Sequence, residues 1–117
     1  MQGLSSSEYA ELRSAFADLI NYEADDPMAP VEPLTYVAPD GDTCLHVASQ
    51  RGNIRAVELL VKAGVDVNRQ GDMGSTPLHC AATPEVAAFL VASGASVTIR
   101  DEFGRLPLQV DEGTNAP

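Results

Sequence analysis

Two segments of this chain carry nearly the same word at a fixed distance: Thr43-Cys44-Leu45-His46-Val47-Ala48 and Thr76-Pro77-Leu78-His79-Cys80-Ala81. Gly41/Gly74, Thr43/Thr76, Leu45/Leu78, His46/His79 and Ala48/Ala81 all coincide at an offset of 33 residues. Gly104-Arg105-Leu106-Pro107-Leu108 follows Gly74-Ser75-Thr76-Pro77-Leu78 at an offset of 30. Repetition at this period constrains the fold more than any other feature. Each repeat is one supersecondary unit that cannot bury its apolar side alone, so successive units must stack.

The repeated word has a local meaning. Thr76 caps a helix with its hydroxyl, and Pro77 follows at the first helical position, where a missing N–H is harmless. Leu78, Ala81 and Ala82 give that helix one apolar side with room for a close neighbour. A period near 33 with Thr-Pro-Leu-His-x-Ala resembles the ankyrin repeat family over roughly Leu34 to Leu108. The resemblance implies an all-α solenoid of stacked helix-turn-helix units with hairpin-like loops, serving as a binding scaffold.

The 117 residues divide as one domain in four parts. Residues 1–33 hold an N-terminal capping helix, its apolar side formed by Tyr9, Leu12, Phe16, Leu19 and Ile20 and its end near Glu23, followed by a Pro-rich connection. Residues 34–68 form the first repeat, with helices Thr43–Gln50 and Ile54–Lys62 around the turn Arg51-Gly52-Asn53. Ile54, Val57, Leu60 and Val61 are its second helix's buried side, and Gly64 is a left-handed cap. Residues 69–98 form a repeat three residues shorter, because His46 to Gly64 spans 18 positions and His79 to Gly94 only 15. Thr83-Pro84 replaces its inter-helix turn, and Val86, Phe89, Leu90 and Val91 are its second helix's buried side. Residues 99–117 make a partial third repeat and a polar tail, with at most one short helix as a C-terminal lid and a disordered end.

The net charge is −10, and its placement matters more than its size. Residues 1–33 carry seven acids against one base, residues 34–100 six against five, and residues 101–117 four against one. Nucleic acids and anionic membranes require basic surface, so neither is expected as a partner. The acidic flanks, Asp101, Glu102 and Asp111 among them, permit a basic protein partner approached with electrostatic steering, and they equally serve solubility. No apolar run approaches the roughly 20 residues that cross a bilayer, and the first residues lack a signal-peptide pattern. Two cysteines make no disulfide framework, so a reducing, cytoplasmic setting is expected, with the chain monomeric or weakly self-associating.

His46 and His79 invite a chemical reading, but zinc wants four ligands and no cluster has suitable spacing. Cys44 and Cys80 neighbour them, yet sequence neighbours at a helix start point apart, and a thiolate–imidazole pair needs hydrogen-bond reach. No enzymatic activity, metal or cofactor is expected. By the resemblance, the histidines tie successive loops together, and the contact face consists of loop tips and exposed first-helix positions. That face would include Asp40, Asp42, Gln50 and Arg51 from the first repeat. Gln70, Asp72, Met73 and Ser75 would come from the second loop, and Arg100, Glu102, Phe103 and Arg105 from the third. Met73 and Phe103 are apolar residues where solubility alone prefers polar ones, which suggests anchors for a partner pocket. The expected function is a protein-protein interaction module, in sharper form a small acidic inhibitor or immunity protein of a basic toxin or enzyme. The alternative is an assembly protein that self-associates through a bare end of the repeat array.

Overall fold

A computed structural model describes residues 3–19 and 31–107. Among these residues are five α-helices: α1 (Ser6–Ala15), α2 (Cys44–Arg51), α3 (Ile54–Lys62), α4 (Pro77–Cys80) and α5 (Pro84–Ala92). α2 and α4 pack as one row, and α3 and α5 pack as a second row behind them. α1 lies against α3 and extends that second row at its N-terminal end. No helix among the described residues is long and apolar enough to cross a membrane.

The helix starts follow from their caps. Ser5 accepts the Glu8 N–H at 3.1 Å while the Glu8 carboxylate accepts the Ser5 N–H at 3.0 Å, a reciprocal capping box. Asn53 accepts the Ala56 N–H at 3.1 Å to open α3, and left-handed Gly52 separates α3 from α2. In the second repeat Pro84 forbids continuation of α4, which stops after four residues at Cys80. Thr83 then caps α5 by accepting the Val86 N–H at 3.2 Å. The Ala82 N–H donates instead across the repeats, to the Ser49 carbonyl at the end of α2, at 3.0 Å. That bond absorbs the three-residue deletion without breaking the stack.

One expectation about helix extent and one about burial are corrected. α1 ends at Ala15 rather than near Glu23, and the Phe16, Ala17 and Leu19 amides bond three residues back. The Ala15 carbonyl that this tightened end leaves free accepts Arg51 Nη1 at 3.1 Å, a cap supplied by α2. Ile20 and Glu23 lie outside the described residues, as does the expected lid and tail beyond Pro107. Val91 is 41% exposed and not part of the buried side of α5, which is formed by Val86 and Leu90.

The core is aliphatic and continuous from Leu12 and Phe16 through Leu45, Val57, Leu59 and Leu60 to Leu78, Val86 and Leu90. α3 buries more of its circumference than one amphipathic stripe requires, because α1, α2 and α5 all contact it. Three exposed ion pairs span from the N-terminal segment to the repeats: Glu8–Lys62 at 2.8 Å, Glu11–Arg55 at 2.9 Å and Asp18–Arg51 at 2.6 Å. The Lys62 hydrogen bond, the Arg55 hydrogen bond and the Arg51 hydrogen bond hold the Glu8, Glu11 and Asp18 carboxyls, respectively, below their ordinary values. Surface pairs of this kind contribute little each, so burial of Leu12 and Phe16 dominates the docking of α1.

Truncation of Phe16 to alanine is expected to cost about 3–5 kcal/mol in urea denaturation, the usual range for emptying a buried aromatic site. The three depressed carboxyls contribute stability that is present above their unfolded values of 4.5 and 3.8 and lost as the pH falls below them. Melting temperature is therefore expected to be flat near neutrality and to fall below about pH 4.5, less steeply in Glu8→Gln/Glu11→Gln. A fall of the same steepness in that variant would place the acid sensitivity elsewhere.

Candidate protein-interaction face

Successive loops are held to one another by the repeated histidine. His46 is fully buried, and its Nδ1 accepts the Thr43 N–H at 3.0 Å. The ring proton therefore sits on Nε2, which donates to the Ser75 carbonyl of the next loop at 2.9 Å. His79 repeats the arrangement, accepting the Thr76 N–H at 3.0 Å and donating to the Arg105 carbonyl at 2.9 Å. Each imidazole thus caps its own helix with one nitrogen and fastens the following loop with the other. With both nitrogens committed to the backbone, neither ring has a lone pair free to act as a base. Burial pushes the Cys44 thiol up to about 12. Cys80 is likewise raised by burial, and its polar contact is Gln50, at 3.6 Å, not the neighbouring histidine. Among the described residues no group of three or more His, Cys, Asp or Glu side chains is placed to hold a metal ion.

The loops carry further ties. Asp42 is 8% exposed; it accepts the Asp72 N–H at 2.9 Å with one carboxylate oxygen and Gln50 Nε2 at 3.4 Å with the other. Gly71 permits this approach, since a Cβ there would collide with the Asp42 carboxylate and come within 2.9 Å of His46 Nε2. The Glu102 N–H donates to the Met73 carbonyl at 2.9 Å, joining the second loop to the third. Asp101 organises the third loop by accepting the Phe103 and Arg105 amides, each at 2.9 Å, and the Arg105 guanidinium at 2.9 Å. Burial raises the Asp101 carboxyl, but these donors outweigh it and hold the group below its ordinary value.

Each expected contact residue now has a place. Asp40, Met73 and Phe103 stand at equivalent tip positions of the three loops, by the offsets of 33 and 30 residues. Asp40 is exposed. Met73 and Phe103 are 52% and 63% exposed. Met73 adopts φ 56°, a left-handed conformation that costs a non-glycine residue of order 1 kcal/mol. Arg105 lies over the Phe103 ring at 5.0 Å, covering one side of it. Asp72 and Glu102 are exposed beside the tips, and Arg100 caps the Gly104 carbonyl at 2.7 Å. Gln70 bridges the Gly74 and Arg100 carbonyls at 3.0 and 3.2 Å, and Ser75 presents its carbonyl to His46. Arg51 points the other way, to Ala15 and Asp18 of the N-terminal segment. Asp40, Asp72, Met73, Glu102 and Phe103 thus come together along the tips with Gln50 exposed behind them, whereas Asp42 is a buried strut and Arg51 a clamp.

Sequence reasoning treated Asp101 as an exposed flank charge; it is a buried acceptor for its own loop. Its spacing to Phe103 and Arg105 is the signal that was available, since Asp commonly accepts amides two residues onward in turns. Asn68 was also missed: it accepts the Ser96 N–H at 2.7 Å and donates to the Gly94 carbonyl at 3.3 Å, another tie between repeats.

Replacing His46 by alanine leaves the Thr43 helix-cap amide without its acceptor and takes one of two donors from the Ser75 carbonyl, which keeps the Gly71 N–H at 2.8 Å, at an expected cost of about 1–3 kcal/mol. His79 is only half-buried, so His79→Ala is expected to cost less. Thermal unfolding of the two variants checks the order, and an unchanged melting temperature for His46→Ala would remove the histidine bridge as a stabilising element.

Residues 10–101 match the family profile described as ankyrin repeats in three copies. The chain is 38% identical over 77 residues to human protein phosphatase 1 regulatory subunit 27, covering 63% of this chain and 50% of that protein. It is 37% identical over 78 residues to the probable 26S proteasome regulatory subunit p28 of Saccharomyces cerevisiae, covering 62% and 34%. It is 27% identical over 117 residues to chicken (Gallus gallus) NF-kappa-B inhibitor alpha, covering 94% and 37%. The chain spans half or less of the length of these relatives.

Proposed function

Because the chain belongs to the ankyrin repeat family, a family whose repeats mediate protein–protein interaction, we propose that it holds one protein partner along the row of loop tips and acts as a regulatory or inhibitory subunit. The observation that carries this reading is the exposure of Met73 and Phe103 at equivalent tips, on loops whose backbones are tied in place. Preorganised apolar anchors lose little freedom on binding, which is how a few residues come to dominate an interface. Asp40, Asp72 and Glu102 flank them and favour a basic partner. The relatives named as a regulatory subunit and an inhibitor support the regulatory sense. In its sharpest form the chain is a small acidic inhibitor of immunity type that neutralises a basic toxin or enzyme. Two free thiols suit a cytoplasmic setting.

With the partner recovered by affinity capture, surface plasmon resonance separates anchors from steering charges. Met73→Ala/Phe103→Ala is expected to raise dissociation by about 30-fold, the equivalent of about 2 kcal/mol at a central anchor. Asp40→Asn/Asp72→Asn/Glu102→Gln is expected mainly to slow association and flatten its salt dependence. Unchanged dissociation of the first variant would move the binding site off the loop tips.

A further inference from the structure

The histidine bridge that ties the stack together is present in both repeats, but the set Asp101, Phe103 and Arg105 occurs once. At the matching positions the second loop holds Gly71, Met73 and Ser75, and the first loop Ala38, Asp40 and Asp42. The first two loops are therefore built without it. In the third, Asp101 Oδ1 accepts the Phe103 and Arg105 amides at 2.9 Å each, and Oδ2 accepts Arg105 Nε at 2.9 Å. The Asp101 side chain is 1% exposed and that of Arg105 is 61% exposed. His79 holds the Arg105 carbonyl from the other side, at 2.9 Å. The backbone and the Nε of Arg105 are thus both committed, and its guanidinium lies 5.0 Å from the centre of the Phe103 ring.

We propose that Asp101, acting through Arg105, is the positioning residue of the binding face: it sets the Phe103 ring so that one ring face is offered to the partner. This rests on the reading of the loop tips as the binding face. An exposed phenylalanine otherwise turns among staggered rotamers, and stopping that motion on binding costs affinity. A cation over a ring at an exposed site is a weak contact by itself. Here the cation is already immobile, because a charge-assisted bond to a buried carboxylate aims it. Arginine suits the task and lysine does not, since a flat guanidinium bonds Asp101 along one edge and stacks with its face. Met73, with Gly71 and Ser75 beside it, has no such clamp among the described residues. Its place is set by a left-handed backbone, and its thioether adapts to what it meets. The two tips differ accordingly. Met73 supplies an adaptable contact and Phe103 an oriented one, so discrimination among partners falls to Phe103.

Two variants of the full chain test this. Asp101→Asn keeps an oxygen for the two amides and turns an NH2 toward Arg105 Nε, which breaks the pair. Arg105→Lys keeps a charge beside Asp101 and loses the flat face. In NMR spectra of the wild type, the Arg105 side-chain protons are expected to be shifted by the Phe103 ring. That shift is expected to vanish in Asp101→Asn, as it must in Phe103→Ala. Toward the partner recovered by affinity capture, Asp101→Asn and Arg105→Lys are each expected to raise dissociation about fivefold, the cost of immobilising one side chain. In a Phe103→Ala background the same changes are expected to alter dissociation less than about twofold, because their effect passes through the ring. A merely structural Asp101 would add its full effect to that of Phe103→Ala. Such additivity, or a wild-type Arg105 without the ring shift, overturns the proposal and leaves the loop-tip reading standing. So does unchanged dissociation in Asp101→Asn where Phe103→Ala raises it. If Met73→Ala and Phe103→Ala both leave dissociation unchanged, the loop-tip reading falls and this proposal falls with it.

Discussion

The stack depends on one short path: helix-cap threonine, histidine ring, carbonyl of the next loop. Thr43–His46–Ser75 and Thr76–His79–Arg105 are the same path one repeat apart. Its strength comes from directionality as well as number. Because the backbone amide can only donate, Nδ1 must accept, and the ring is left with one donor aimed at the next unit. A residue that satisfies a helix terminus and also fixes the neighbouring loop couples local to tertiary structure. Without it, what joins successive loops near their tips is Asp42 to the Asp72 amide, the Glu102 amide to the Met73 carbonyl and Gln70 to the Arg100 carbonyl.

The same coupling explains how the loops serve as a platform. Asp42, Gln70 and Asp101 spend their polar groups on backbone atoms of their own and adjacent loops. The Asp42 and Asp101 carboxylates are thereby buried, and Met73 and Phe103 stand outward at the tips. Met73 in a left-handed conformation shows that the second loop holds its shape against local preference. The shortened second repeat shows the same tolerance. Losing three residues shortens α4 to a single turn, and the Ala82 N–H bridge to Ser49 restores the register before α5 begins.

The outermost described helices, α1 and α5, are finished differently. At one end α1 supplies Leu12 and Phe16 to the core and turns charges outward, where they meet Arg51, Arg55 and Lys62. At the other, α5 has the composition of an interior helix, with α3 on one side and α4 in front. Arg51 illustrates how such ends are set by packing: its guanidinium takes the Ala15 carbonyl and lies 5.9 Å over the Phe16 ring. One side chain thereby caps the end of α1, lies over Phe16 and binds Asp18.

The family, the helix starts and the structural use of the histidines were legible in the sequence because each rests on short-range rules repeated at a fixed period. Thr-x-Leu-His reports a cap, Pro84 a break, and Gly52 a turn, whatever lies beyond them. The stopping point of α1 was not legible, because Tyr9, Leu12, Phe16 and Leu19 continue a helical period past the residue where Arg51, 36 positions away, takes the Ala15 carbonyl. Nor was the division of the acids. Asp40, Asp42 and Asp101 are alike in a composition count, yet one is exposed and two are buried acceptors, which only the approach of neighbouring amides decides. Val91 followed the apolar period of α5 but lies outside its packing, since periodicity says which residues share a side and not whether a neighbour covers it. Local chemistry is written in adjacent residues; burial depends on partners that the folded chain alone brings within reach.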